Sequence, residues 1–165
     1  MEIRKALTSD SLEAISRVYA ASWQTAYRGI IPDDYLDTLD ALRWTDTLKA
    51  SIDTLLLAVE AGEIIGVCTY GPARDAEYTG WGEVVSLYLL PDRRRQGVGS
   101  LLLSAALGEL HMLGCAGVYL WVLEDNRFAR RFYEKHGFAV SGDKLRDCIG
   151  GKDVNEVRYL LTSAK

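Results

Sequence analysis

A basic, glycine-containing segment is the part of this sequence whose residue types best suit chemistry. From position 92 the chain reads Asp-Arg-Arg-Arg-Gln-Gly-Val-Gly, after an apolar stretch and before a helix-like run. The first N–H groups of a helix lack an internal partner and carry partial positive charge, and glycine lets the backbone approach a phosphate closely. Arg94, Arg95 and Gln96 add side-chain donors. The segment therefore predicts an anion site that suits a diphosphate.

The glycine spacing alone has low specificity. A dinucleotide-binding loop has a third glycine where this chain has Leu102, and the Gly-Lys-Ser/Thr ending of a P-loop does not occur here. The three arginines could also belong to a solvated turn. The interpretation therefore depends on the elements around the segment.

Alternating strands and helices are predicted to position this segment. Hydrophobic periodicity predicts a central strand over 81–90, a helix over 97–113, a strand over 118–123 and a helix over 126–136. The sequence also predicts an early helix opened by Asp10, a hairpin near 61–62, and two late strands near 138–141 and 155–161. We expect an α/β or α+β mixed sheet with helices on its faces, in one domain over 1–165.

Composition argues against several classes of protein. The 165 residues are 48% hydrophobic and 25% charged with a net charge of −4, which is unlike a protein that binds nucleic acid nonspecifically. No apolar run is long enough to cross a bilayer, and the N-terminus lacks a secretory pattern. Cys68, Cys115 and Cys148 show no metal-binding spacing. We expect a cytoplasmic protein with free thiols, no metal, no nucleic acid partner and no membrane association.

Two motifs, in order and at ordinary spacing, carry a family resemblance. Arg94-x-x-Gly97-x-Gly99 follows a strand and opens a helix, and the stretch 120–138 places Tyr133 shortly before Gly-Phe. Together they resemble the GNAT superfamily, the Gcn5-related N-acetyltransferases, and the stretch 23–32 is similar to one bacterial branch. The resemblance covers about the whole chain. It implies a mostly antiparallel sheet with a central splay, and acetyl-CoA (coenzyme A) as the donor.

The resemblance implies how the cofactor would be held. Amides from Arg95 to Ser100 would cradle the diphosphate, and a splayed central strand would offer free backbone groups to the pantetheine arm and the oxyanion. Asn126, by its motif position, would hydrogen-bond that arm. The implied cofactor-binding residues are Leu87, Tyr88, Leu89, Arg94, Arg95, Gln96, Gly97, Val98, Gly99, Ser100, Asn126 and Tyr133.

Two residues are implied to be catalytic. Tyr133 resembles the family's tyrosine near the CoA sulfur, and a phenol stays protonated at neutral pH, so it is predicted to be the general acid. Glu83 occupies the position of a base glutamate in some family members, where partial burial is expected to raise its pKa. A merely aromatic role for Tyr133 and a structural role for Glu83 stay open. Residues of the loop before Glu83 could replace it as the base.

The acceptor is expected to bind between the first two helices and the loop 71–80. These segments contain aromatic rings and carboxylates, which together suit an amine cation. The predicted lining is Trp23, Tyr27, Asp75, Glu77 and Tyr78, although a core position for Trp23 on the apolar stripe of the first helix is the favoured alternative. We predict acetyl transfer to a primary amine, with a small-molecule amine favoured, by direct attack in a ternary complex. A protein N-terminus or lysine is the alternative acceptor, and a CoA-binding sensor is the alternative class. Dimerisation is common in the family, so a homodimer is possible.

Overall fold

The computed structural model describes residues 1–162, which form seven strands and five α-helices. The strands are β1 (Glu2–Lys5), β2 (Leu55–Glu60), β3 (Glu63–Pro72), β4 (Gly82–Leu89), β5 (Gly117–Leu123), β6 (Ala139–Ile149) and β7 (Lys152–Thr162). The helices are α1 (Leu12–Ala26), α2 (Asp33–Asp37), α3 (Thr45–Ala50), α4 (Val98–Met112) and α5 (Arg127–Lys135). None of these helices is both long and apolar enough to cross a membrane.

The strands form one sheet in the order β1-β2-β3-β4-β5-β7-β6, and every neighbouring pair is antiparallel except β4 and β5. Those two strands pair only at Gly82 with Val118 and at Glu83 with Tyr119, and then they separate. A register shift in the β3–β4 pairing lies beside this point, where Val85 of β4 has no partner on β3. A bulge increases local twist and bends the strand that carries it. The predicted splayed, mostly antiparallel sheet is confirmed.

Helices cover both faces of the sheet, as predicted. On α4, apolar residues at helical spacing form a stripe that packs on one face: Leu102, Leu103, Ala106 and Leu110. On the other face, Ile15, Val18 and Tyr19 of α1 pack on β2 and β3. Each fully buried Leu or Ile contributes about 1.5–3 kcal/mol relative to an exposed one. This packing fixes the start of α4 and the end of α1 on opposite sides of β4.

The first helix begins one residue later than predicted. Ser11, not Asp10, is its N-cap, and its Oγ accepts a hydrogen bond from the Ala14 amide at 3.2 Å. Asp10 instead accepts two hydrogen bonds of 2.7 Å from the Arg4 guanidinium and another from the Leu7 amide. The carboxylate therefore ties the helix entry to β1, and the hydroxyl next to it caps the helix.

The last two strands form a much longer hairpin than the sequence pattern indicated. Gly150 and Gly151 form its turn with φ of +60° and +80°, which glycine adopts without strain. A Cβ at Gly150 would lie 2.7 Å from Cγ of Tyr35 on α2, so glycine is also needed there for space. Lys152 Nζ donates to the Ile30 carbonyl at 2.6 Å. The hairpin is thus held against the segment that follows α1.

Candidate active site

The separation of β4 from β5 opens a cleft of about 720 Å³. The end of α1, the start of α4, α5 and the β6–β7 hairpin surround it. Most of the predicted cofactor-binding residues line it: Leu87, Tyr88, Leu89, Arg94, Arg95, Gly97, Gly99, Ser100, Asn126 and Tyr133. The structure therefore brings both sequence motifs to one cavity.

Free backbone amides face the ligand at the start of α4. Gly97 is the N-cap with φ of +84°, and Arg95 also has a positive φ of +62°. Among residues 1–162, no backbone or side-chain acceptor takes a hydrogen bond from the amides of residues 95–100. Successive unpaired N–H groups at a helix N-terminus form a concavity that binds anions. This is the expected geometry for holding a diphosphate.

The two cleft arginines have different settings. Arg94 is half-buried, its Nη2 donates to the Ser22 carbonyl at 3.3 Å, and burial lowers the pKa of its guanidinium. Arg95 is exposed, with its guanidinium carbon 5.9 Å from the centre of the Phe128 ring. Arg94 therefore ties the cleft to α1, whereas Arg95 and Phe128 stand at the cleft mouth.

The side chains of Gln96 and Val98 do not line the cleft, although Gln96 was expected to add a side-chain donor. Gln96 Nε2 donates to the Asp92 carbonyl at 2.8 Å, so this side chain closes the loop on itself. Val98 is 2% exposed and packs in the core beneath α4. Only the backbone amides of these two residues are in a position to serve as predicted.

The open edge of β4 supplies further backbone groups. Leu87 and Leu89 direct their side chains to the core under α4, and Tyr88 packs against Tyr19 with ring centres 4.7 Å apart. Across the cleft, Asn126 caps α5, because its Oδ1 accepts from the Ala129 amide at 3.1 Å. That contact uses the carbonyl of the side chain and leaves its NH₂ group to donate into the cleft.

Tyr133 presents a free phenol to the cleft. Its ring is 8% exposed and packs between Phe132 and Phe138, with centroid distances of 5.2 and 5.9 Å. Its hydroxyl has no hydrogen-bond partner in the described part of the chain. Burial raises the pKa of Tyr133 further above its ordinary value. The hydroxyl is therefore protonated and available to a ligand atom.

Glu83 lines the cleft, but its expected raised pKa is wrong. The residue is 2% exposed, and burial alone would raise the pKa. Hydrogen bonds from Arg74 at 2.6 and 2.9 Å and from the Tyr119 hydroxyl at 2.9 Å, together with the Arg74 charge, outweigh burial and lower it. A carboxylate so fully bonded is a poor proton acceptor. The catalytic role of Glu83 stays a prediction, and these contacts favour a structural one.

The predicted acceptor residues divide into two groups. Trp23 and Tyr27 line the cleft with their rings edge to face at 5.0 Å, and burial raises the pKa of Tyr27 to about 12. The other three lie outside this cleft: Asp75, Glu77 and Tyr78.

The placement of those three residues has a physical reason. Asp75 pairs with the buried Arg158 at 2.5 Å and accepts the Glu77 amide at 3.0 Å. The Tyr78 ring covers the Arg158 guanidinium at 4.3 Å. The loop therefore folds over β7, and none of these three side chains lines the cleft; their part in acceptor binding stays a prediction.

Sequence reasoning missed the residues that the hairpin adds to the cleft: Leu145, Ile149 and Glu156. The Gly150-Gly151 pair was the available signal, because two glycines between strand-like segments indicate a hairpin. Within residues 1–162, no group of three His, Cys, Asp or Glu residues could hold a metal ion.

One cleft combines a helix N-terminus with free amides, an open strand edge and a buried phenol. This combination is typical of a protein that binds an elongated phosphate-bearing cofactor. The sequence model described as "Acetyltransferase (GNAT) family" matches residues 13–138. The chain belongs to the GNAT family of acetyltransferases. It is an acyltransferase with acetyl-CoA as donor, and the α4 amides fit the diphosphate of that cofactor.

Relatives extend over nearly the whole chain. An uncharacterized N-acetyltransferase of Bacillus subtilis, YuaI, is 31% identical over 96% of this chain and 97% of its own length. Spermidine N(1)-acetyltransferase of Thermoplasma acidophilum is 26% identical over 96% and 98%. The crystal structure of the PaiA N-acetyltransferase of Thermoplasma acidophilum in complex with coenzyme A has a TM-score of 0.70 at 25% identity, with 94% and 96% covered.

Proposed function

We propose that this protein acetylates a small-molecule primary amine, by direct attack of the amine on the acetyl thioester in a ternary complex. One observation carries the choice of acceptor. The cleft that holds the Tyr133 phenol is also lined by Trp23, Tyr27 and the carboxylate of Glu156. Aromatic faces and a carboxylate stabilise an organic ammonium ion.

The chain's own groups divide the work of holding the donor. The amides of residues 95–100 would bind the diphosphate, and the open edge of β4 and the Asn126 amide group would bind the pantetheine arm. The bound cofactor supplies an acetyl group activated as a thioester. A β4 N–H beside the cleft would stabilise the oxyanion, and loss of one such donor typically costs about 2.7–4 kcal/mol.

Tyr133 would protonate the leaving thiolate. A free thiol has a pKa of about 8.5 and a phenol about 10, so the phenol is the protonated partner at neutral pH. A covalent acyl-cysteine is disfavoured, because Cys68 is fully buried and burial raises its pKa to about 12. Direct attack needs no such group.

Three further observations support this proposal. The β6–β7 hairpin, held by Lys152 and by Gly150 against Tyr35, adds Leu145, Ile149 and Glu156 to the cleft lining, and this added wall favours a compact acceptor over a folded protein surface. The Thermoplasma relative is named for spermidine, a small cationic amine. The three cysteines of this protein are free, which suits the reducing cytoplasm where we propose that it acts.

A panel of acceptors tests the proposal. Wild-type protein and acetyl-CoA are incubated with spermidine, benzylamine, lysine and short peptides, and acetylated products are identified by mass spectrometry. We expect at least one small amine to be acetylated with a higher kcat/KM than any peptide. Acetylation of peptides alone would favour a protein acceptor, and CoA binding with no product would indicate a sensor.

A further inference from the structure

Glu156 lines the cleft, although it lies far along the chain from either sequence motif. It stands on β7, opposite Leu123 of β5 and Leu145 of β6 in the strand register. Residues directly opposite in a sheet project from the same face, so these three side chains share one surface. That surface is the one on which the β4–β5 separation opens, and all three line the cleft.

The Glu156 carboxylate differs from Glu83 in having no partner. Over residues 1–162 it accepts no hydrogen bond and forms no ion pair, although it is only partly exposed. The nearby charges do not neutralise it: Asp147 of β6 is itself acidic, and Arg74 is bound to Glu83. Tyr27, the C-cap of α1, also lies near it, and Arg158, two residues along β7, is engaged by Asp75. A half-buried carboxylate without a partner is costly unless a ligand supplies the cation.

We propose that Glu156 binds the ammonium group of the acceptor and takes its proton before attack. This inference rests on the proposed function, since it assumes an amine acceptor. The aromatic rings of Tyr27 and Trp23 beside it would hold the rest of the cation. The pKa of Glu156 is raised by burial and then by Asp147, which makes this carboxylate a better proton acceptor than an ordinary glutamate.

The protons balance in three moves. The acceptor enters as R–NH₃⁺ and gives one proton to Glu156, which later releases it to solvent. The nitrogen then forms its bond to the acetyl carbon as the C–S bond breaks. Tyr133 protonates the sulfur and recovers a proton from the nitrogen, which keeps one hydrogen in the amide product.

Two variants, Glu156→Gln and Glu156→Asp, test this role. The matched control is Glu63→Gln, at the exposed tip of the β2–β3 hairpin. With spermidine as probe, we expect Glu156→Gln to lower kcat/KM at least about tenfold and to abolish the fall in rate at acid pH. Glu156→Asp should restore part of the rate, and Glu63→Gln should match wild type.

A second readout does not depend on turnover. If Glu156 is an unpaired charge kept for a ligand, Glu156→Gln should raise the unfolding temperature at pH 7 and weaken its increase on adding spermidine in the presence of CoA. The proposal would be overturned if the rate of Glu156→Gln still fell at acid pH as in wild type. It would also be overturned if this variant lost stability but kept the wild-type KM for spermidine. If wild type acetylates no amine at all, the proposed acceptor class fails first and this inference fails with it.

Discussion

Glu83 and Tyr119 form the last residue pair before β4 and β5 separate, and their side chains close that point. The Tyr119 hydroxyl donates to Glu83 Oε2 at 2.9 Å, across the one parallel pair among the seven strands β1–β7. Arg74 completes the contact from the loop after β3 with hydrogen bonds of 2.6 and 2.9 Å. The origin of the cleft is thus fixed by a carboxylate that the sequence suggested as a base.

The Glu83→Gln variant should lose stability but keep the acid limb of its pH–rate profile, which is the fall in rate at acid pH. We expect about 1–2 kcal/mol lower free energy of unfolding at pH 7, kept modest because Arg74 is exposed and rehydrates. Urea denaturation measures the stability, and the pH–rate profile with spermidine measures the limb. Unchanged stability together with loss of the acid limb would instead make Glu83 the base.

The wild-type contribution of Glu83 should depend on pH in a defined direction. Because its folded pKa lies below the ordinary 4.5, the charged form stabilises the protein above about pH 4.5, and this contribution is lost as pH falls through the folded pKa. The gap in stability between wild type and Glu83→Gln should therefore shrink in acid. A gap that stays constant between pH 7 and pH 3 would contradict the ion-pair account.

Tyr133→Phe should remove the proton donor with little effect on cofactor binding. We expect kcat to fall at least about tenfold while the Kd for CoA, measured by calorimetry, stays near that of wild type. Tyr70→Phe is the matched control, because the Tyr70 hydroxyl lies against Glu109, away from the cleft. Full turnover in Tyr133→Phe would remove the phenol from the reaction.

Tyr27→Leu should weaken acceptor binding selectively. The change keeps apolar bulk but removes the aromatic face, so the KM for spermidine should rise about three- to tenfold, consistent with a cation–π contribution of ~1 kcal/mol. The KM for acetyl-CoA serves as the internal reference. If both KM values rise equally, Tyr27 shapes the whole cleft and does not recognise the cation.

The sequence predicted the central part of the fold well because its elements have strong local signals. β4, α4 and α5 are apolar or amphipathic over many residues and end at glycine or proline, so their bounds are within two residues of those predicted. The β6–β7 hairpin was underestimated, because β6 is an exposed edge strand with few apolar residues and no alternating pattern. Its Gly-Gly turn was the one usable signal.

The candidate site was predictable only where residues are close in sequence. The α4 amides and Tyr133 belong to compact motifs, whereas Glu156 reaches the cleft only through the register of three strands. The position of Asp75 and Tyr78 outside that cleft was unpredictable for a similar reason. Their partner, Arg158, lies far away in the chain, and no local pattern links it to that loop.

Titration calorimetry of acetyl-CoA binding tests the central claim, that the amides at the start of α4 hold the diphosphate. Gly97→Ala strains a backbone with φ of +84° at that site, and Gly114→Ala imposes similar strain, at φ +76°, beyond the other end of α4. We expect wild type to bind acetyl-CoA saturably, Gly97→Ala to bind it at least about fivefold more weakly, and Gly114→Ala to bind it with near wild-type affinity. Equal affinity in all three proteins, or no binding by wild type, would contradict that claim.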